Sequence, residues 1–392
     1  MPRYRYLVVG GGMAADAAAR GIRERDKEGS IGLVGEEPSA PYARPPLSKG
    51  LWKGDAAETI WRGTEKLGVT LHLGRRIVGL EPGKHRASDD RGEVYEFEKA
   101  LLATGGRPRR LPGAGGAVIY FRTFADYERL RGLAGQGQPV VVVGGGFIGS
   151  EIAAALATVG ARPVMVFPED GVCARPFGPR LSAFVTDAYR ARGVEVLTGD
   201  AVSSIGSERG RARVTTRSGR EIEAAAVVAG LGIVPDVQLA AAAALATGDG
   251  INVDERLRTT HPDVHAAGDV ANVFSPALGS RLRVEHEDAA VTMGRAAGLS
   301  MAGDETPYTH LPFFYSDLFD MGYEAVGRID ARLQTVADWK EPFREGVVYY
   351  LEDGRVRGLL LWNVWGQVDA ARELIKAPGP FAAKDLEGRI GR

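Results

Sequence analysis

Two short glycine clusters hold the residues whose types and spacing can do chemistry. The first reads LVVGGGMAA, with Gly10, Gly12 and Ala15 at the fingerprint positions; the second reads VVVGGGFIG, with Gly144, Gly146 and Gly149. In such a fingerprint the first glycine makes a tight turn, and the second lets backbone approach a pyrophosphate. The third, a place alanine also fills, lets helix pack on strand. The helix that follows offers unpaired N–H groups and the positive end of its dipole, so phosphate is held without a basic side chain. An acid at the end of the next strand takes a ribose hydroxyl. Glu36 ends SIGLVGE, 26 positions past Gly10 (from 10 to 36), and Glu169 ends PVMVFPE, 25 past Gly144 (from 144 to 169). Either cluster alone reads equally as an ordinary turn with a stray surface acid; the matched pair predicts two bound dinucleotides.

Alternating strand and helix patterns must carry these turns. YRYLVVG, MAADAAARGIRE and SIGLVGE read as strand, helix and strand, followed by the proline-rich PSAPYARPPLSKG, where Pro45 and Pro46 are expected to stiffen an extended loop. EKALLATGGRPRRLPG reads as a buried strand delivering a glycine-rich turn and three arginines. A second unit runs from QPVVVVGGGFIGSEIAAALATVG to AAAVVAGLGIVPD. THPDVHAAGDVA then supplies a short strand ending in Gly268 and Asp269. Because that phrase belongs with the first dinucleotide, the first domain is expected to be split, as residues 1–112 and 241–308, by an inserted second domain at 113–240. From residue 309 the pattern turns antiparallel: EGVVYYLEDGRVRGLLLWN is a hairpin on Asp353-Gly354, and QVDAARELIK is a final helix. The expected fold class is α/β, with two Rossmann-like dinucleotide-binding domains and a small α+β carboxy-terminal domain at 309–392.

Bulk properties remove several function classes. The 392 residues are 44% hydrophobic, enough for two or three cores, and carry a formal charge of −1 from 49 basic and 50 acidic residues. That balance argues against a nucleic-acid binder or a polybasic membrane protein. MPRYRYLVVGGG enters the first strand at once and no apolar run is long enough for a bilayer, so the expected location is the cytoplasm. Cys173 is the only cysteine, which excludes an intramolecular disulfide and a paired-cysteine relay. It reads most simply as a small apolar residue, with a lone peroxide-reducing thiol as the minor alternative. His286 lies among Glu285, Glu287 and Asp288, but adjacent positions do not converge on a metal as an i, i+4 pair does, and no metal site is expected.

PYARPPLSKGLW, LLATGGRPR, GGGFIGSE, VHAAGDVA, RVEHEDAA and FFYSDLFDMGYEAVG together resemble the FAD-dependent NADH–ferredoxin reductases of Rieske-type oxygenase systems and their relative, apoptosis-inducing factor. Both belong to the two-dinucleotide-binding-domain flavoproteins, and the likeness covers nearly the whole chain. FPED, VEHEDAAV and the SDL…GYEAVG phrase sit closer to apoptosis-inducing factor. ADWKEPFREGVVYY, however, runs straight into the hairpin without the long insertion of the animal protein.

The resemblance implies that Gly10, Gly12, Ala15 and Glu36 hold FAD, and that Gly144, Gly146, Gly149 and Glu169 admit NADH. It places Arg44, Lys49 and Arg109 on the flavin and its phosphates, with Arg107 and Arg110 as surface charges, and Asp269 on the ribityl chain, where a turn former or helix cap is the plainer alternative. Lys49 and Glu151 are implied to meet beside flavin N5, Lys49 stabilising negative charge and Glu151 holding the nicotinamide carboxamide. A first-turn acid favoured by the helix dipole is the bland alternative for Glu151. Phe147 is implied to cover the nicotinamide side of the flavin, or simply to pack under its helix, and Glu285, His286 and Tyr315 match cofactor-binding positions. Glu169 should favour NADH over NADPH by repelling a 2′-phosphate, since no arginine directly follows it in FPEDG, although Arg175 is near in sequence. The expected activity is hydride transfer from NADH to FAD and onward electron transfer to a small carrier, a ferredoxin, by a monomer or homodimer. The alternatives are a redox-responsive, partner-binding protein like apoptosis-inducing factor with slow oxidase activity, and, more weakly, a disulfide or peroxide reductase.

Overall fold

Buried β-branched runs separated by alanine-rich helices pair in parallel, and the chain does this twice. In the computed structural model, which describes residues 1–113, 118–208 and 210–391, the chain divides into two units. One comprises 1–43, 58–107 and 234–313; the other comprises 44–57, 108–233 and 314–392.

In the first unit, strands Val69–Leu73, Ile31–Gly35, Arg3–Val9 and Val94–Leu102 pair in that order, all parallel. Val264–Ala266 joins Val94–Leu102 in parallel and brings the VHAAGD phrase into the sheet that holds the first fingerprint. The fingerprint helix Met13–Arg25 crosses Glu287–Met301 with backbone nearly touching backbone. A Cβ on Gly298 would sit 2.1 Å from the Ala18 carbonyl oxygen, one on Gly294 2.4 Å from that of Ala14, and one on Gly21 2.2 Å from that of Arg295. Asp16, fully buried one residue after Ala15, accepts from Arg62 (2.6 Å), Thr64 (2.7 Å) and Arg20 (2.9 Å). Burial alone would raise its carboxyl pKa; these donors outweigh burial and hold it below the usual range.

His265, on Val264–Ala266, is 1% exposed, with Nε2 3.2 Å from the Ser300 hydroxyl. Burial lowers its pKa to about 4, Lys99 and Arg258 add to this, and Asp254 and Asp263 oppose it. Between that value and an unfolded pKa of about 6.5, the unfolded chain binds more protons than the folded one. Stability is therefore expected to be full above the unfolded pKa and to fall by up to about 3 kcal/mol as pH drops through this window. Denaturant titrations at stepped pH check this: His265→Gln should flatten the slope, and an unchanged slope would assign it elsewhere.

In the second unit, Glu195–Leu197, Arg162–Val166, Pro139–Val143, Ala226–Ala229 and Val118–Tyr120 form a parallel sheet in that order. Val202–Glu208, Arg211–Thr216 and Glu221–Ala224 make an antiparallel sheet of three strands. The carboxy-terminal sheet runs Phe313–Leu318, Met321–Gly327, Arg355–Trp362, Glu345–Glu352, Gln334–Glu341, with Asp353-Gly354 as the expected hairpin turn and helix Val368–Lys376 packed on it. One apolar core holds Val140, Ile152 and Phe167 of the nucleotide-type layer together with Tyr323, Leu360 and Trp362 of this sheet. The expected α/β class, with two Rossmann-type sheets and an α+β carboxy-terminal part, is thus observed.

One local expectation is corrected. Pro45–Ser48 forms a 3₁₀ turn leading into the short helix Gly50–Lys53, not an extended loop. Proline's fixed φ and missing N–H suit the first turn of a helix as well as an extended chain. Here the Trp52 indole N–H donates to the Leu47 carbonyl (2.7 Å) and closes the turn.

Candidate functional site

Gly10 and Gly144 have φ of 126° and 113°, a region closed to side chains, and a Cβ on either would lie 2.1 or 2.5 Å from the carbonyl oxygen of Ala103 or Gly230. A Cβ on Gly149 would lie 2.0 Å from the Gly144 oxygen, whereas one on Gly146 would meet nothing within 4 Å. Helices Met13–Arg25 and Phe147–Thr158 start at Gly12 and Gly146 with no side-chain cap. With no side-chain cap, the positive ends of these helices face outward, and the open space at Gly146 is where an anionic group would approach. These cradles fit dinucleotide pyrophosphates.

Glu36 and Glu169 are both exposed just past strands Ile31–Gly35 and Arg162–Val166. The Arg107 guanidinium, expected to be an ordinary surface charge, spans Asp236 (2.9 Å) and Glu36 (3.4 Å). Arg175 is drawn to Asp330 (3.8 Å). Asp269 lies half-buried in the turn Gly268–Val270, where Arg283 donates to its backbone carbonyl (3.2 Å) and also grips Glu285 (2.6 Å) and Asp249 (2.9 Å). His286 is the residue at the start of helix Glu287–Met301. Arg44 donates to the Arg122 carbonyl (2.8 Å), and exposed Arg109 is fixed through its backbone N–H to Gly232 (3.0 Å). Among the described residues no group of three or more acids, histidines or cysteines could hold a metal.

Within the second unit, Lys49 and Glu151 meet: Nζ lies 2.7 Å from Oε1, with the side chains 13% and 5% exposed. Glu151 sits on the fifth residue of its helix, past the first turn, so its partners rather than the helix dipole account for it. Ser48 donates to Oε2 (2.5 Å) and Ser316 to Oε1 (2.6 Å). The Lys49 ammonium stands 5.5 Å from the centre of the Tyr315 ring, a cation–π distance. Phe147 packs edge-on to Phe314 (5.0 Å between ring centres) and near Tyr323 (6.3 Å). Burial pushes the Cys173 thiol up to about 12, with Glu151 adding to the shift, and pushes the Tyr323 and Tyr189 hydroxyls well up. These neighbours stay uncharged, leaving Lys49 as the counter-charge of Glu151, and the Cys173 thiol is held in its unreactive form.

Sequence reasoning missed both serines. Ser48 adjoins Lys49, which is a signal of sorts, but Ser316 is 165 residues from its partner and carries none.

Comparison with known proteins follows the same lines. Residues 4–294 match the family described as pyridine nucleotide-disulphide oxidoreductase, and residues 297–342 and 337–377 match the carboxy-terminal domain of mitochondrion-associated apoptosis-inducing factor. The chain is 36% identical to the ferredoxin reductase subunit of 5,5'-dehydrodivanillate O-demethylase from Sphingobium sp., covering 92% of this chain and 90% of the relative. It is 34% identical to mitochondrial apoptosis-inducing factor 1 of Dictyostelium discoideum, covering 95% and 78%. Among solved structures, putidaredoxin reductase in its covalent complex with putidaredoxin superposes with a TM-score of 0.89 at 28% identity, covering 96% of this chain and 94% of that one. Among the described residues no helix is long and apolar enough to cross a membrane. The family's name includes disulphide chemistry, yet the sequence has one cysteine and that one is buried. With its two glycine cradles, two Rossmann-type sheets and apoptosis-inducing-factor-type carboxy-terminal domain, the chain belongs to the pyridine nucleotide-disulphide oxidoreductase family and is an oxidoreductase whose single cysteine cannot form an internal dithiol.

Proposed function

We propose that the chain takes a hydride from NADH and passes electrons through FAD to a small iron–sulfur carrier, a ferredoxin. The observation that carries this reading is the buried ion pair that Lys49, at the end of the 3₁₀ turn, makes with Glu151 of the second fingerprint helix. Its relatives support the choice of acceptor: one is a ferredoxin reductase subunit, and one solved neighbour is joined to putidaredoxin. FAD, when bound, supplies hydride acceptance and the release of single electrons.

The chain's own residues bind, orient and balance charge. Gly10, Gly12 and Ala15 admit the FAD pyrophosphate and Glu36 takes its ribose, with Arg107 orienting that carboxylate. Arg44, Arg109, Asp269, Glu285, His286 and Tyr315 complete the cofactor contacts. Gly144, Gly146 and Gly149 admit NADH, and exposed Glu169, with Arg175 turned to Asp330, disfavours the extra phosphate of NADPH. Lys49 presents positive charge to the reduced flavin, Glu151 accepts an N–H from the nicotinamide carboxamide, and Phe147 screens that side until the nucleotide arrives. The assignment that goes with this is FAD on 1–112 and 241–308, NADH on 113–240, and a carboxy-terminal domain at 309–392, in a cytoplasmic monomer or homodimer.

The test mixes the flavin-loaded chain with NADH or NADPH and a panel of ferredoxins and rubredoxins. Rapid NADH-dependent carrier reduction with little turnover on oxygen is the supporting result; no carrier reduced at all would overturn it. A second reading, a redox-responsive partner-binding protein, is favoured by the match of 297–342 and 337–377 to the apoptosis-inducing factor domain. Slow flavin reduction accompanied by an NADH-dependent change in molecular size would select it.

A further inference from the structure

We infer that Ser316, together with Ser48, is a positioning residue that aims the Glu151 carboxylate at the nicotinamide carboxamide; this rests on the proposed NADH reading. A carboxylate offers about four acceptor directions, two on each oxygen. The Ser316 hydroxyl and the Lys49 ammonium occupy Oε1 at 2.6 and 2.7 Å, and the Ser48 hydroxyl occupies Oε2 at 2.5 Å. Among the described residues these donors leave one direction, on Oε2. An incoming amide N–H thus meets a single oxygen from a single side.

The terminal torsion of a glutamate is broad, so without these donors the carboxylate plane would be set by Lys49 alone. Both hydroxyls are neutral donors, and they add orientation without disturbing the one-to-one charge balance of the pair. They also come from separate elements: Ser48 from the 3₁₀ turn Pro45–Ser48, Ser316 from Phe313–Leu318, the first strand of the carboxy-terminal sheet. That strand touches the site with three consecutive residues. Phe314 meets Phe147, Tyr315 faces the Lys49 ammonium, and Ser316 bonds Glu151. Ser316 and Ser48 are 1% and 7% exposed, and a buried hydroxyl persists only when its hydrogen bond is made.

The experiment compares Ser316→Ala, Ser48→Ala, the double variant and Ser316→Thr as flavin-loaded full chains. Four quantities are read: the limiting rate of flavin reduction, the half-saturating NADH concentration, the NAD⁺ dissociation constant, and the long-wavelength absorbance of the NAD⁺ complex. Misaimed hydride transfer costs rate more than binding, so each alanine variant is expected to lose roughly ten- to a hundredfold in limiting rate. Half-saturation and NAD⁺ affinity should move by less than about threefold, and the absorbance band should shift. Because both serines act on one carboxylate, the double variant should lose less than the product of the single losses. Ser316→Thr keeps the hydroxyl and should recover the rate and the band. Alanine variants that melt lower yet keep the wild-type rate and band would overturn the inference. If Ser316→Ala does not fold, Ser48→Ala, on the other element, decides by the same criteria. Failure of NADH to reduce the wild-type flavin would instead sink the underlying function.

Discussion

Glu151→Leu is expected to lower the stability of the second unit by about 3–5 kcal/mol, because it strands the buried Lys49 ammonium and removes the carboxylate that accepts from the Ser48 and Ser316 hydroxyls. Adding Lys49→Met in the same chain should return most of that loss, since a well-packed apolar pair replaces two buried ions at little cost. Activity should not follow stability. The double variant keeps the fold yet lacks both the charge and the acceptor, so NADH-dependent flavin reduction should fall by two or more orders of magnitude in the single and double variants alike. Denaturant unfolding and stopped-flow reduction on the three proteins check this. Recovery of activity together with stability would mean that the pair serves folding only.

Gly298→Ala is expected to be among the most damaging single-methyl changes in the first unit. The added carbon would fall 2.1 Å from the Ala18 carbonyl oxygen, where backbone rather than a flexible side chain must give way. Overpacking typically costs about 1–3 kcal/mol, and a clash with backbone belongs at the upper end of that range, against a total of about 5–15 kcal/mol. The displaced helix is the one that begins at the first fingerprint, so retained flavin per chain should fall along with the melting temperature. Gly132, also helical, is the control: an added Cβ meets nothing within 4 Å. Gly132→Ala should stabilise by roughly 0.5–1 kcal/mol through helix propensity alone. Equal effects at the two sites would refute close packing as the cause.

How much of this is legible in the sequence depends on how local each feature is. The fingerprints, the following acids and the Asp353-Gly354 turn are each written within a few residues or one strand–helix–strand unit, and the structure forms the turns, strands and helices read from them. The single cysteine speaks by its count. Gly294 and Gly298 read only as weak points in a helix until Ala14 and Ala18 are seen opposite them. Arg107 looks like one more surface charge until it reaches Glu36. The Pro45-Pro46 pair fits two conformations equally, and the indole N–H of Trp52, several residues on, helps decide between them. The resemblance pairs Lys49 with Glu151; neither motif nor periodicity points to their serine partners.

The first strand of the carboxy-terminal sheet carries a consequence for how such proteins diverge. Along Phe313–Leu318, Ser316 and Leu318 are buried while Tyr315 is exposed, as strand alternation requires. A slip of one residue against Met321–Gly327 would offer Tyr315 to the carboxylate and turn Ser316 to solvent. Only Phe319 and Asp320 join these two strands, and Phe319 takes the left-handed φ of 63° that tight hairpin turns use. That two-residue turn therefore works as a ruler: its length, more than any side chain in it, sets which chemistry Glu151 meets. A lineage that gained or lost one residue there would keep both glycine cradles and the whole sheet, and would still be retuned at its centre.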